Sequence, residues 1–203
     1  MGKSKDKVEK SAKLIRKFKK MWAQAQSELC EVRNSEIHGR GVYATRAIMK
    51  DEKVIEYVGE LIDKQESEHR ANVQAERAEK HGDAAVYIFT IDDDHDLDGN
   101  LPWNTARLIN HSCDPNCEAW IEDARIFIHA LCDIKKGEEL SFDYGFDVDT
   151  WEEHPCLCGK KVCVGHIVSR TQWQELEKKK AVKKSTALRK DDHQSRKRSP
   201  KVK

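Results

Sequence analysis

Apolar positions between residues 3 and 30 recur at three- and four-residue steps: Leu14, Ile15, Phe18, Met21, Trp22 and Ala25, set among lysines. That is the period of one helix face, and it predicts a basic amphipathic helix over 1–30 packed on the domain. From Cys30 the period shortens. Gly41–Ala44 and Val54–Val58 alternate between polar turns and read as strands. Residues 62–81 have almost no apolar stripe but favour helix, which predicts a polar helical insertion outside the core. Val86–Ile91 reads as a strand, and the acidic stretch 92–99 after it as a turn in a solvated hairpin; its spacing does not match a calcium loop. Ala119–Ile121 and Arg125–His129 read as a second hairpin with Glu122-Asp123 near its turn, and Lys135-Lys136-Gly137 marks a turn before a strand in GEELSFDYG. Ser169–Lys180 reads as a short helix and the rest to Lys203 as a disordered basic tail. The pattern divides the chain into a helix over 1–30, a mostly β body over 31–147, a cysteine-rich segment over 148–170 and a tail over 171–203.

At 203 residues, 38% hydrophobic and a mean hydropathy of −0.81, the chain suits one core with solvated extensions. Charge changes the picture more. Nine basic against two acidic residues in 1–20, and twelve against two in 178–203, leave −16 for the middle of a chain whose net charge is +1. An acidic body fits a basic peptide partner, and basic tails suit nucleic acid or another acidic surface. Seven cysteines, four in a metal-like pattern, argue against a disulfide framework and for a reducing, intracellular compartment. No apolar run approaches the ~20 residues of a membrane span, and no signal-peptide core follows the first lysines. Arg196-Lys-Arg198 would serve as a nuclear signal in a eukaryote; in a bacterium the expectation is the cytoplasm or export as an effector.

Reactive side chains concentrate in residues 107–163. RLINHSCDPNC places Asn110 and His111 beside a cysteine and a Pro-Asn turn, and GEELSFDY delivers Phe142 and Tyr144 from one face of a strand with Asp143 opposite. Upstream, His38-Gly39-Arg40-Gly41 is a loop whose glycines permit close approach of backbone to a ligand, although such a sequence alone reads as a tight turn. Cys156, Cys158 and Cys163 supply three thiolates within eight residues, with Gly159 at the bend. A tetrahedral zinc needs a fourth ligand, for which His154, His166 and a distant cysteine are candidates.

In this order, HGRGVY, EYVGE, YIFTID, ARLINHSCDPNC, GEELSFDYG and CxCxxxxC resemble a SET-domain protein lysine methyltransferase with a post-SET zinc motif, in the sequence style of the trithorax branch. A cysteine-rich pre-SET module is missing from the resemblance, since only Cys30 precedes the domain. The resemblance implies a mostly β fold of short sheets with a pseudoknot, a small helical insertion and a C-terminal zinc-binding segment. It implies S-adenosylmethionine as cofactor, contacted by His38, Arg40, Tyr87, Asn110, His111 and the backbone of Leu157. It implies zinc held by Cys113, Cys156, Cys158 and Cys163. Tyr144 matches the catalytic tyrosine, Tyr57 a tyrosine of the lysine channel, and Phe142 the position where Phe accompanies di- or trimethylation; some members carry a tyrosine near Ala119, so the channel is expected to be wider there. The expected substrate is a histone-like basic tail. Two other readings stand beside this one: a non-catalytic SET-like binding module, and a basic-tailed nucleic-acid-associated protein. The segment 183–190 has the style of a histone tail and suggests self-methylation.

Overall fold

The computed structural model describes residues 2–81 and 87–197, in two units. Unit 1 runs through Asn110 and again from Pro115 to Phe142; unit 2 takes His111–Asp114 and the chain from Asp143 onward.

Unit 1 begins with α1 (Gly2–Gln24), shorter than expected. Ala25 is fully buried, and the hydroxyl of Ser27 donates to the carbonyl of Val54 at 2.6 Å while accepting from the amide of Leu29 at 3.2 Å. That local bonding ends the helix and aims the chain into β1. Phe18 meets Trp103 edge-on at 4.7 Å, so part of the apolar face does pack on the body. Alongside it runs a groove of about 630 Å³ lined by Leu14, Met21, Val58, Leu97 and Leu101 among others.

Of the four sheets among the described residues, three lie wholly in this unit and are antiparallel. β1 (Cys30–Asn34) pairs with β2 (Arg40–Ala44). β9 (Arg125–Ala130) lies between β3 (Lys53–Tyr57) and β8 (Cys117–Glu122). As the central strand it is buried from Ile126 to Ala130, and its side chains join Val42, Val54, Ile55, Ile134 and Leu140 in the core. The β8–β9 hairpin turns through Asp123 and Ala124, both with left-handed backbone at φ 49° and 57°.

The third sheet places β6 (His95–Asp98) between β4 (Glu60–Asp63) and β5 (Ile88–Thr90). Only Asp92–Asp94 of the acidic stretch turns, with the Asp92 carboxylate accepting from the amides of Asp94 and His95; His95–Asp98 form the strand, buried from Asp96 onward. Val86 lies outside the described residues, so the expected strand there is seen as β5 alone. The inserted helix α2 (Lys64–His81) explains the buried acids. Lys64 pairs with Asp96 at 2.6 Å, and the Arg70 guanidinium reaches Asp98 and Glu60, both at 2.9 Å, and Glu66 at 2.7 Å. A helix without an apolar stripe is thus held by charge-assisted hydrogen bonds. Ser67 and Gln74 are buried, so its inner face is more enclosed than its sequence suggests.

Unit 2 has its own small core of Val148, Val168 and Leu176, flanked by Trp151 and Val164. A 3-10 segment, Val148–Glu153, and helix α3 (Trp173–Lys197) frame it. α3 extends far beyond the helix expected to end at Lys180: residues 181–197, expected as part of a disordered tail, continue it, beginning with helix-favouring residues such as Ala181, Lys183 and Lys184.

Candidate active site and metal centre

In unit 2 the sulfurs of Cys113, Cys156, Cys158 and Cys163 all lie within 4.8 Å of one another. Cys113 Sγ is 3.8 Å from both Cys156 Sγ and Cys163 Sγ. Four thiolates around zinc at ~2.3 Å define a tetrahedron with edges of about 3.8 Å, which the two Cys113 distances match while no pair in the cluster exceeds 4.8 Å. The two histidine alternatives for the fourth ligand stand apart from the cluster: His154 packs edge-on against Phe146 at 4.7 Å and His166 against Trp151 at 4.5 Å. Burial pushes the Cys113 thiol up to about 11, whereas at Cys158 the N–H groups and neighbouring thiols overcome burial and bring it to about 7. The Gly165 amide donates to Cys163 Sγ at 3.3 Å, the kind of bond that stabilises a thiolate. Leu157, between two of these cysteines, is 62% exposed.

His111 links this centre to Tyr144. Its Nδ1 accepts the Tyr144 amide at 3.2 Å, and its Nε2 lies 3.7 Å from Cys113 Sγ. Accepting at Nδ1 leaves the proton on Nε2, pointing at sulfur. Burial holds His111 below the ordinary histidine range, with Asp143 opposing, which suits that neutral form. The His111 and Tyr144 rings meet edge-on at 5.4 Å, and Phe146 lies 5.6 Å beyond Tyr144.

Unit 1 carries an aromatic cluster. Tyr57, 3% exposed, meets Phe89 edge-on at 4.7 Å, and Phe89 stacks on Phe142 at 5.8 Å. The Tyr57 hydroxyl donates to the Tyr87 carbonyl at 3.0 Å, and the Arg107 guanidinium lies 5.2 Å from the centre of the Tyr87 ring. Gly99 is needed here, because a Cβ on it would sit 2.1 Å from the Tyr57 ring. Phe89 is not among the residues singled out in the sequence; its signal was its place in the alternating run YIFT, which marks it as core rather than as a link between Tyr57 and Phe142.

Asn110 closes the remaining part of unit 1. It begins β7 (Asn110–His111) and is buried. Its Nδ2 donates toward the carbonyls of His38 at 3.3 Å and Arg40 at 3.1 Å, which joins three of the expected cofactor residues. It also donates toward Ser35 Oγ at 3.0 Å and Glu139 Oε1 at 2.9 Å. Of the loop glycines, one has the use read for the sequence alone, a tight turn. Gly39 takes a left-handed turn at φ 49°, whereas a Cβ on Gly41 would lie 2.2 Å from Glu139 Oε1, so that close approach serves a carboxylate of the same chain. Glu139 escaped the sequence reading because its partners are at 35, 43 and 110, far outside its own motif.

Residues 39–145 match the SET-domain family model. The chain is 37% identical over 154 residues to histone-lysine N-methyltransferase set-2 of Caenorhabditis elegans, covering 74% of this chain and 10% of that protein. It is 43% identical over 139 residues to an H3 lysine-4 specific histone-lysine N-methyltransferase of Chaetomium globosum, covering 66% of this chain and 12% of that one. To histone-lysine N-methyltransferase trithorax of Drosophila melanogaster it is 43% identical over 136 residues, covering 64% of this chain and 3% of that protein. The chain thus spans a small fraction of the length of the relatives it matches.

Proposed function

The chain belongs to the SET-domain family, and from that premise we propose that it is an S-adenosylmethionine-dependent protein-lysine N-methyltransferase acting on a basic, histone-like tail. The observation that carries this reading is the match across 39–145, a span that holds Tyr57, Asn110, His111, Phe142 and Tyr144.

The cofactor, when bound, supplies a methyl group on a positively charged sulfur. The protein must supply a neutral, aligned amine. Free lysine has a pKa of ~10.4, and an enclosed aromatic lining disfavours the ammonium, so deprotonation comes within reach near neutral pH. Tyr57, Phe89 and Phe142 provide aromatic surface of that kind, and their faces attract methylated ammonium. Tyr144 orients the amine; its backbone is held by His111, itself beside the sulfur cluster. Alignment of this sort sets a scale of about 7–11 kcal/mol in oriented intramolecular reactions, so no strong base is required. Asn110, with His38, Arg40, His111, Tyr87 and the Leu157 backbone, would hold the cofactor, and the four cysteines would hold zinc as a structural ion.

Phe142 supports di- or trimethylation, since it places no hydroxyl beside the growing methylammonium. The acidic middle of the chain supports a basic substrate. One observation favours nucleic acid as a second contact: on α1 the exposed Lys13, Arg16 and Lys20 fall on the side opposite Phe18, which faces Trp103. A histone substrate would place the protein on chromatin in a eukaryote; in a bacterium the same chemistry would act in the cytoplasm or after export.

Transfer of labelled methyl to core histones, bacterial DNA-associated proteins and the protein alone tests the reading, with Tyr144→Phe as control. Label in one band, reduced at least ~100-fold in the variant, is the expected result. Cofactor binding without label on any protein would favour a non-catalytic SET-like module.

A further inference from the structure

We propose that Glu139 is a positioning residue for the cofactor site: its carboxylate fixes which way the Asn110 carboxamide faces. The proposal rests on the methyltransferase reading above. The two ends of an asparagine carboxamide have nearly the same shape, and only their hydrogen-bond neighbours decide which end points where. Among the described residues, every neighbour of Asn110 Nδ2 is an acceptor. The His38 and Arg40 carbonyls and Glu139 Oε1 carry no proton. Ser35 Oγ spends its proton on Glu139 Oε1 at 2.6 Å, and so turns a lone pair toward Asn110. Reversing the carboxamide would bring its oxygen against two carbonyls and a carboxylate. Oδ1 therefore faces the other way, as the acceptor offered to a ligand. An acceptor of that kind suits the ammonium of an amino-acid moiety, which S-adenosylmethionine carries.

Glu139 is itself fixed on both sides. Its Oε2 accepts from the Tyr43 hydroxyl at 2.9 Å, and its backbone carbonyl accepts from Asn116 Nδ2 at 2.9 Å. Gly41 leaves the space its carboxylate occupies, since a Cβ there would overlap Oε1 and lie 2.8 Å from the carboxyl carbon. The chain of causes runs from a glycine in one motif, through a glutamate in another, to the direction of an asparagine oxygen in a third.

The test is direct binding of S-adenosylmethionine to the full, zinc-loaded chain by calorimetry, together with steady-state constants and thermal melting. Glu139→Ala should weaken cofactor binding about tenfold and raise the cofactor KM in step, with kcat at saturating cofactor much less changed. Glu139→Gln should restore binding, because its amide oxygen can still accept from Asn110 while its nitrogen donates to Tyr43, whose own proton can turn to the Asn34 carbonyl at 3.2 Å. Gly41→Ala, which keeps the carboxylate but displaces it, should resemble Glu139→Ala and add little to it. Tyr43→Phe loses the bond on the far oxygen and should lower the melting temperature while sparing cofactor affinity. Wild-type affinity in both Glu139→Ala and Gly41→Ala, or losses that simply follow melting temperature across all four variants, would overturn the proposal. A wild-type chain that binds no cofactor would instead overturn the methyltransferase reading on which it rests.

Discussion

Phe142 and Phe89 stack ring on ring, so the position proposed above to set product multiplicity is braced by a neighbour from a different strand. Phe142→Tyr adds one hydroxyl, which can hold water where further methyl groups must go. We expect mass spectrometry of the peptide product to show a shift from di- and trimethyl-lysine to mainly monomethyl-lysine; an unchanged distribution would remove Phe142 from that role. At this scale the sequence was informative where chemistry is written locally. Asn110, His111 and Tyr144 stand in short strings dense with polar and aromatic residues. Glu139 and Phe89 were illegible, because their importance lies in partners 29 to 104 positions away, a separation no local pattern encodes.

Among the elements, the β8–β9 hairpin was the clearest in advance, since two apolar runs flank an acidic turn. The turn holds a cost the alternation did not reveal. Ala124 sits at φ 57°, where an L-residue loses about 1–2 kcal/mol that glycine does not. Against the extra flexibility of glycine in the unfolded chain, Ala124→Gly should stabilise the protein by about 0.5–1 kcal/mol, read from the urea midpoint at constant m. β6 was missed because its acids looked solvated; their partners Lys64 and Arg70 come from a helix some thirty residues upstream. α1 was legible in period but not in length, its end being set by Ser27 reaching for Val54. Its basic side makes a test of its own. If α1 binds DNA, replacing Lys13, Arg16 and Lys20 with alanine should flatten the slope of log affinity against log salt by ~0.9 for each phosphate that is no longer neutralised, with activity on a short peptide unchanged. An unaltered slope would confine α1 to packing.

For the whole molecule, the order of motifs announced a mostly β fold with a cysteine-rich end, and that architecture is what the chain adopts. Spacing alone could not choose the fourth sulfur, because Cys113 lies 43 positions before Cys156 and only folding brings them to 3.8 Å. The cluster predicts a separable loss. Removing zinc with a chelator should abolish methyl transfer while leaving the β circular dichroism signal of unit 1 largely intact, and activity that persists after verified metal removal would contradict the centre's role. Connectivity sets one more condition. The chain enters unit 2 for only four residues, His111–Asp114, returns, and leaves again after Phe142. Neither unit is therefore a contiguous cassette that recombination could lift out and join to another gene. A lineage carrying this fold must inherit both units together or neither.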